Sequence, residues 1–220
     1  MARLLDVGLR PYREVLALQR EVHADVAAAS REDTWIVCEH PAVVTLGRNA
    51  KAEHLLFSAQ GLAALGVDYV EVERGGDVTF HGPGQLVVYP ILKLPRFREI
   101  VPFVSALEEA VVKALAEFGI VASGRREHRG VYVGERAICA VGVAVKQMTS
   151  LHGLALNVST ELDYDRFIVP CGTPEFGVTS MSRELGRDVT VEEAKPVLLG
   201  ALAARFGVEF EAAEMRRLAS

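Results

Sequence analysis

The segment from Arg74 to Gln85 constrains the fold of this chain more than any other stretch. Its twelve residues, RGGDVTFHGPGQ, include four glycines and one proline, and apolar runs flank it at Val67–Val72 and Leu86–Leu94. Glycine permits positive φ and lets backbone approach a ligand closely, although Gly/Pro-rich stretches are also common in plain turns. The segment therefore indicates either a simple hairpin or a cradle in which Arg74 binds a substrate oxygen and His81 transfers protons.

Size and charge restrict the class of protein. At 220 residues, half of them hydrophobic, the chain is large enough for one domain spanning 1–220. The net charge of -5 argues against a nucleic-acid-binding protein, which usually has a basic surplus. The cysteines Cys38, Cys139 and Cys171 lack C-x-x-C spacing, which predicts a reducing, cytoplasmic location. No apolar run reaches the roughly 18 residues that span a bilayer, so we expect no membrane partner.

Hydrophobic periodicity predicts elements in the order helix, strands, helix, strands, helix. Helices are predicted at Tyr12–Ala29, 58–65, Phe103–Phe118 and Ala194–Phe206, the last after a capping box of Thr190 and Glu193. Strands are predicted at Trp35–Glu39, Ala42–Leu46, Tyr69–Glu73, Leu86–Leu94, Gly130–Gly134, Ala137–Val145 and Leu151–Val158. This order indicates an α+β fold, with a mixed, mostly antiparallel sheet packed with helices, and not a regular βαβ alternation.

The last two strands are predicted to form a hairpin with a narrow slot along it. With the turn at Lys146–Ser150, Gly142 lies near Ala155 and Ala137 near Thr160. Small residues on both strands then leave space between the side-chain layers; they are Ala140, Gly142, Gly153 and Ala155. An alkyl chain would fit such a slot, where burial stabilises by about 0.8 kcal/mol per methylene. The alternative is close packing of these strands against a helix.

Cys171 is the candidate nucleophile of the chain. It lies between Pro170 and Gly172, on a predicted sharp turn after an apolar run. An exposed thiol at a turn is reactive if its pKa is lowered, whereas a single cysteine is as often a small buried hydrophobe. Cys38 and Cys139 lie inside β-type runs and are predicted to be buried. The histidines and cysteines lack metal-ligand spacing, and the glycines match neither a P-loop nor a dinucleotide fingerprint, so we expect no metal and no cofactor.

Five motifs together resemble the octanoyltransferases of lipoate synthesis, also called lipoyl(octanoyl) transferases. In chain order they are Glu39-His40-Pro41 with Thr45-Leu46-Gly47, Arg74–Gln85, Gly130–Gly134, His152–Val158 and Pro170-Cys171-Gly172. The resemblance implies the fold shared by biotin- and lipoate-protein ligases. It also implies an enzyme that takes an octanoyl group from an acyl carrier protein thioester. The implied acceptor is a specific lysine on lipoyl domains of 2-oxoacid dehydrogenases or on the glycine-cleavage H protein.

The resemblance also implies the roles of individual residues. By matching motif, Cys171 would carry the acyl group as a thioester. The residues that would line the substrate site are Arg74, Gly75, Gly76, Asp77, Val78, Thr79, Phe80, His81, Ala140, Val141, Gly142, Gly153, Leu154 and Ala155. A basic patch of Arg125, Arg126 and Arg129 would help to dock the acidic donor. Two alternatives remain: an ATP-dependent ligase of the same fold, and a non-catalytic domain that binds acyl chains or carriers.

The chain departs from the family at one position. The family usually has a lysine just before the Ile-x-x-x-Gly strand, where it lowers the cysteine pKa, and this chain has Ala137 there. Candidates to replace the lysine are Arg136, Lys146, His81 and His152. Lys146 lies nine residues on, roughly 30 Å along an extended strand, at the predicted tip of the hairpin. We expect transfer to survive without the lysine, with slower or pH-shifted chemistry.

Overall fold

The structure, a computed structural model, describes residues 1–125, 127–169 and 177–213. The helices of these residues are α1 (Tyr12–Ala27), α2 (Ala59–Ala64), α3 (Ile100–Glu117), α4 (Met181–Leu185) and α5 (Val191–Phe206). The strands are β1 (Ala2–Leu9), β2 (Thr34–Glu39), β3 (Val43–Leu46), β4 (Asp68–Glu71), β5 (Val78–His81), β6 (Gln85–Ile91), β7 (Ser123–Gly124), β8 (Gly130–Val133), β9 (Arg136–Lys146), β10 (Thr149–Asn157) and β11 (Phe210–Ala212). Among the described residues, no helix combines the length and apolar character needed to cross a membrane.

The strands form one large and one small sheet. The large sheet has the order β11-β1-β2-β6-β10-β9-β8-β7. Its neighbours are antiparallel except for the parallel pairs β11–β1 and β1–β2. The small sheet has the order β4-β3-β5, with β4 parallel and β5 antiparallel to β3. The predicted fold class, a mixed and mostly antiparallel sheet with helices, is confirmed.

The central strands are apolar on both faces because helices cover both sides of the large sheet. On β2, Trp35 and Val37 join a buried cluster with residues of α3 and α5, whereas Ile36 and Cys38 join a second cluster with residues of α1. Successive side chains of a strand point to opposite faces, so β2 alternates between the two clusters. The next strand, β6, is buried along its whole length. Such two-sided burial explains why these strands are nearly continuous hydrophobic runs.

The C-terminal helix begins where the sequence predicts. The hydroxyl of Thr190 accepts a hydrogen bond from the backbone N–H of Glu193 at 3.1 Å, so Thr190 is the N-cap of α5. The Glu193 carboxylate does not complete the predicted capping box, because it accepts a hydrogen bond from Arg187 at 2.7 Å. The helix ends at Gly207, whose φ of +64° is the left-handed conformation that glycine adopts most easily.

Four of the described strands were not predicted from the sequence: β1, β5 and the short strands β7 and β11. β1 pairs in parallel with β2 near one edge of the large sheet. β5 lies inside the glycine-rich segment and pairs with β3 in the small sheet. The glycine-rich segment is therefore a strand flanked by two loops, and not a single turn between two strands.

The hairpin of β9 and β10 has a tighter turn than predicted. Lys146 pairs with Thr149, and the two turn residues, Gln147 and Met148, have φ of +51° and +58°. Consequently Gly142 pairs with Gly153, and Ala140 with Ala155. The predicted proximity of Gly142 to Ala155 was wrong by two residues. A shift of two preserves the face on which each side chain lies, so the small residues still face one another.

Ala137 is also placed differently from the prediction. It does not lie opposite Thr160. It pairs with Tyr132 of β8, next to a register shift in that pair of strands, and it bridges to Val178. Position 137 therefore lies beside the irregular part of the β8–β9 pair and contacts residues 177–179.

Candidate functional site

A cavity of about 570 Å³ lies between the glycine-rich segment and the β9–β10 hairpin. All the residues predicted to line the substrate site, apart from Phe80, line this cavity. The full set of lining residues is Tyr12, Asn49, Lys51, His54, Arg74, Gly75, Gly76, Asp77, Val78, Thr79, His81, Tyr89, Val104, Glu127, His128, Arg129, Ala140, Val141, Gly142, Val143, His152, Gly153, Leu154 and Ala155. The fold thus brings together three motifs that are separated by up to about eighty residues in the chain.

Phe80 faces away from this cavity. Its ring stacks on Tyr164 with centroids 4.6 Å apart, and it belongs to a cluster that includes Val44 and Leu62. Side chains alternate along β5, so Phe80 points to the side opposite Thr79 and His81. Instead it lines a smaller cavity of about 40 Å³. Phe80 therefore packs the small sheet against Tyr164 and Phe167, which precede the 170–176 segment, and its role in the substrate site stays a prediction.

Glycines permit close backbone contact between the segment and the hairpin. The N–H of Gly75 donates to the carbonyl of Val143 at 2.9 Å. A Cβ atom at Gly142 would lie 3.1 Å from the Gly75 oxygen, and one at Gly153 would lie 2.1 Å from the Val88 oxygen. Gly142 therefore packs against the backbone of the glycine-rich segment and Gly153 against the backbone of β6, and an open cavity lies beside them.

Arg74 anchors the glycine-rich segment to the small sheet. Its guanidinium is buried, and Nη2 donates to the carbonyl and the hydroxyl of Thr45 at 2.7 and 2.9 Å. Nη1 donates to the Gly75 carbonyl at 3.1 Å. Several donors in one rigid fork make arginine suited to such a junction. Arg74 therefore both lines the cavity and fixes the loop that forms one of its walls.

Asp77 organises the polar mouth of the cavity. One carboxylate oxygen accepts hydrogen bonds from the backbone N–H groups of Val78 and Lys51, at 2.8 and 3.2 Å. The other oxygen accepts one from Nδ1 of His54. Lys51 and His54 line the cavity but were not predicted, because they lie on an irregular stretch with no motif. Tertiary contacts, those with Asp77 among them, bring these two residues to the site.

His81 is a neutral imidazole in this environment. Its Nδ1 is 2.7 Å from the Gln85 carbonyl oxygen, which can only accept, so Nδ1 carries the proton. The Gln85 amide donates to Asn157 at 2.9 Å, which fixes its orientation. Burial, with a contribution from nearby His40, lowers the pKa of His81 to about 3. A base this weak is poorly matched to proton transfer near neutral pH, which disfavours His81 as the replacement for the family lysine.

His40 belongs to a buried polar cluster beneath the cavity. Its Nδ1 donates to the Arg10 carbonyl at 2.8 Å, so Nε2 accepts from the Tyr89 hydroxyl at 2.9 Å. Burial lowers the pKa of His40 to about 4 and raises the pKa values of Tyr12 and Tyr89. The ring of Tyr12 stacks on His81 with centroids 5.7 Å apart. The Glu39-His40-Pro41 motif therefore supports the cavity floor.

The two buried histidines predict how stability depends on pH. Above their ordinary pKa of 6.5, His40 and His81 are neutral in the folded and the unfolded chain. Below it, the unfolded chain binds protons that the folded protein does not, so the free energy of unfolding falls as the pH approaches the folded-state values. We expect a loss of about 4 kcal/mol between pH 7.5 and pH 5, about 2 kcal/mol from each histidine. Urea unfolding at the two pH values measures it. The His81→Gln variant should lose less of its free energy of unfolding between these two pH values. Equal stability of the unsubstituted protein at both pH values would contradict the neutral state of these histidines.

Cys171 lies outside the described residues, but the chain on both sides of 170–176 is anchored near one end of the site. The N–H of Val169 donates to the His54 carbonyl at 2.9 Å. On the other side, the N–H of Ala137 donates to Gly177 and its carbonyl accepts from Thr179, both at 2.9 Å. The smaller cavity lies between these anchors, and it shares Ala140 and Ala155 with the larger one.

The candidates for replacing the family lysine lie in different places. Arg136 donates three hydrogen bonds to the Glu184 carboxylate, at 2.9, 3.0 and 3.2 Å, and Glu184 also accepts one from Thr179. Lys146 ends β9 at the tip of the hairpin, as predicted. His152 lines the large cavity. Arg136 is thus the cation closest in sequence to position 137, and its guanidinium is directed to a carboxylate.

The predicted basic patch is partly neutralised by carboxylates. Arg125 contacts Glu135 at 3.1 Å, and Arg129 contacts the buried Glu108 at 3.1 Å. Arg126 lies outside the described residues. Arg129 also lines the cavity, together with its neighbours 127 and 128. Arg129 therefore belongs to the cavity wall, whereas Arg125 is not among its lining residues.

The chain is similar to octanoyltransferases and to lipoate protein ligases. The family model of the lipoyl protein ligase A/B catalytic domain matches residues 11–203. The octanoyltransferase of Bacteroides fragilis is 43% identical over 201 residues, which cover 86% of this chain and 91% of that protein. The octanoyltransferase of Caldanaerobacter subterraneus is 39% identical over 217 residues, covering 98% and 95%. A lipoate protein ligase of Thermoplasma acidophilum, studied with its E2 lipoyl domain, superposes with a TM-score of 0.78 at 19% identity, covering 98% of this chain and 88% of that one.

Proposed function

The chain belongs to the lipoyl protein ligase A/B catalytic-domain family and is an octanoyltransferase; from this premise we propose its donor, its intermediate and its acceptors. The octanoyl group comes from the thioester of an acyl carrier protein. Cys171 carries it as an enzyme thioester, and a lysine of a lipoyl domain receives it as an amide. Acceptors are the lipoyl domains of 2-oxoacid dehydrogenases and the glycine-cleavage H protein. The whole chain, 1–220, acts as one catalytic domain that needs no cofactor.

The observation that carries this proposal is the cavity against the β9–β10 hairpin. Its inner wall is formed by the paired small residues Ala140–Ala155 and Gly142–Gly153, with Val141 and Leu154 beside them. Burial of each methylene of an acyl chain there stabilises the complex by about 0.8 kcal/mol. The loop at Arg74, Gly75, Gly76 and Asp77, with Val78, Thr79 and His81 of β5, forms the opposite wall. The acyl chain lies between these walls, with its carbonyl towards the segment that contains Cys171.

The chemistry has two balanced steps. The Cys171 thiol loses its proton, and the thiolate attacks the carbonyl carbon of the donor thioester. The tetrahedral intermediate then expels the carrier thiolate, which takes up a proton. In the second step, the neutral lysine amine attacks the enzyme thioester, Cys171 leaves as thiolate, and the amine releases a proton as the amide forms. Splitting the transfer in this way means that the two protein carriers need not bind together.

Transfer without a nucleotide distinguishes the proposal from its alternatives. We expect the protein to move octanoyl groups from octanoyl-carrier to a purified lipoyl domain in the absence of ATP and Mg²⁺. The product is measured as the mass increase of the lipoyl domain. A strict requirement for ATP and free octanoate would indicate a ligase instead. No transfer from either source would indicate a non-catalytic binding domain.

The alanine at position 137 makes a prediction about pH. A lysine there would place an ammonium group on the strand residue that hydrogen-bonds to Gly177 and Thr179. Because a nearby positive charge favours thiolate, Ala137→Lys should shift the acid limb of the kcat/KM profile to lower pH by about one unit. The uncharged control Ala137→Met should leave the limb in place. If Ala137→Lys changes neither rate nor pH optimum, another group has fully replaced the lysine and the expected deficit does not exist.

A further inference from the structure

His54 and Asp77 form a paired imidazole and carboxylate in the wall of the large cavity. Their side chains are 12% and 14% exposed. Nδ1 of His54 donates to one oxygen of Asp77, because a carboxylate can only accept. When the ring is neutral, its lone pair is therefore on Nε2. That nitrogen has no hydrogen-bond partner among the described residues and is not buried, so a ligand in the cavity can reach it.

Contacts on two sides hold this pair in place. The other oxygen of Asp77 accepts hydrogen bonds from the backbone N–H groups of Lys51 and Val78, at 3.2 and 2.8 Å. The backbone carbonyl of His54 accepts one from Val169 at 2.9 Å. A carboxylate held on Nδ1 fixes the tautomer and the orientation of an imidazole that takes up protons at Nε2. The arrangement is therefore that of an oriented general base.

Glu53 and Lys51 are the charged neighbours of the pair. Oε1 of Glu53 is 3.7 Å from Nε2 of His54, beyond hydrogen-bond range, and the Glu53 side chain is 71% exposed. Nζ of Lys51 is 3.8 Å from the same oxygen. Residues 167–169, which pair with the His54 stretch, are apolar. Neither charged neighbour hydrogen-bonds to the ring, so Asp77 sets its tautomer. The cavity is also lined by Glu127, His128 and Arg129.

The pair lies near the opening of the cavity and not at its floor. Lys51 and Glu127, both exposed, mark the opening, whereas Tyr12 and Tyr89 at the floor are each 3% exposed. His54 follows Lys51 by three residues. A lysine side chain, with five bonds of about 1.5 Å, reaches only about 6 Å beyond its backbone. A lysine on the surface of another folded domain therefore meets the opening before the floor.

We propose that His54, oriented by Asp77, takes the proton that the acceptor lysine loses before it attacks. This inference rests on the proposed function, in which a lysine of a lipoyl domain is the acceptor. At pH 7.5 roughly one lysine in a thousand is neutral in water, given an ordinary pKa of about 10.4. As the ammonium group leaves water at the opening, its charge is disfavoured, and one N–H proton passes to Nε2 of His54. The lysine nitrogen keeps the electron pair that attacks the thioester, and the imidazolium releases the proton to water.

His54→Gln tests this role through the two halves of the reaction. Glutamine keeps a donor for Asp77 but cannot take up a proton. We expect kcat/KM for the lipoyl domain to fall by about a hundredfold at pH 7.5, while kcat/KM for octanoyl-carrier stays within about threefold. At pH 9.5 the neutral amine is about a hundred times more abundant, so the loss should shrink to within about tenfold.

His23→Gln is the matched control. His23 lies on α1 and is not among the residues that line the cavity. Its Nε2 donates to the Lys146 carbonyl at 3.0 Å, and a glutamine amide can donate there as well. Both kcat/KM values of this variant should match those of the wild type at both pH values.

Asp77→Asn tests the pairing itself. The asparagine oxygen would keep the hydrogen bonds from Lys51 and Val78, which turns its NH2 group towards Nδ1 of His54. Nδ1 must then accept, so the ring proton moves to Nε2 and the lone pair is lost there. We expect kcat/KM for the lipoyl domain to fall about as far as in His54→Gln, and no further in the double variant. Such non-additivity is the mark of two groups that act as one unit.

The outcomes separate this inference from the proposed function. If the wild type transfers no octanoyl group to a lipoyl domain, the proposed acceptor is wrong and the inference falls with it. If transfer occurs and His54→Gln keeps the wild-type kcat/KM for the lipoyl domain, His54 does not accept the proton. If both kcat/KM values fall equally at both pH values, His54 supports the fold and the inference is likewise wrong. A loss confined to the lipoyl domain, and smaller at pH 9.5, supports it.

Discussion

We expect replacement of Cys171 with alanine to lower octanoyl transfer by at least about a thousandfold, because no other group in the proposed reaction forms the covalent intermediate. Single-turnover transfer from octanoyl-carrier to a lipoyl domain measures the rate. The loss should lie in kcat, with donor affinity changed little, because the cavity that binds the acyl chain is formed by other residues. A serine at this position should also fail, since a hydroxyl has a far weaker tendency than a thiol to form the reactive anion.

The other two cysteines provide the matched control. Cys139 is 1% exposed, and burial raises its pKa, so its thiol stays protonated. Cys38 is buried as well, and burial raises its pKa strongly. Cys139→Ala should retain transfer within a few-fold of the wild type. If Cys171→Ala keeps more than about a tenth of the wild-type rate, the acyl group is transferred directly or through another nucleophile.

Adding one methyl group at Gly153 strongly destabilises the fold. The Cβ atom of Gly153→Ala would lie 2.1 Å from the Val88 oxygen and 2.6 Å from Cδ of Pro90, in the centre of the large sheet. Neither neighbour is a flexible side-chain end, so β10 must move away from β6. We expect a loss of about 3 kcal/mol in the free energy of unfolding, and hence a Tm lower by roughly 10 °C. Thermal unfolding followed by circular dichroism measures it.

Gly200 is the contrasting glycine. It lies inside α5, and a Cβ atom there would meet nothing within 4 Å. Gly200→Ala should therefore raise the free energy of unfolding by about 0.5–1 kcal/mol, since alanine favours helix over glycine. If the two variants have the same Tm, the close approach of β10 to β6 does not exist as described.

Local sequence signals predicted the elements that depend on local physics. The periodicity of α1 and α3 and the N-cap at Thr190 need only neighbouring residues, and the structure has these elements close to the predicted positions. β1 was missed because its pairing partners, β2 and β11, are distant in the chain. β5 was missed because glycines and a proline surround four residues whose strand conformation depends on pairing with β3. Pairing between strands that are distant in the chain cannot be predicted from a short stretch of sequence.

The β9–β10 hairpin shows a second limit of prediction from the sequence. A two-residue turn with positive φ at both positions usually has asparagine, aspartate or glycine, whereas this turn has Gln147 and Met148. Its length was therefore overestimated, and the register shifted by two. The motif residues of the cavity were found by resemblance, but Tyr12, Lys51, His54 and Tyr89 reach it only through packing. Such residues have no signature in the sequence, because their role depends on which elements the fold brings together.

Intact-mass spectrometry after incubation with octanoyl-carrier tests the covalent intermediate most directly. We expect the protein to gain the mass of one octanoyl group, and peptide mapping to place it on Cys171. A lipoyl domain added afterwards should remove the group from the enzyme and gain the same mass. An enzyme that transfers octanoyl groups while showing no adduct, or that carries the adduct on a residue other than Cys171, would contradict the account.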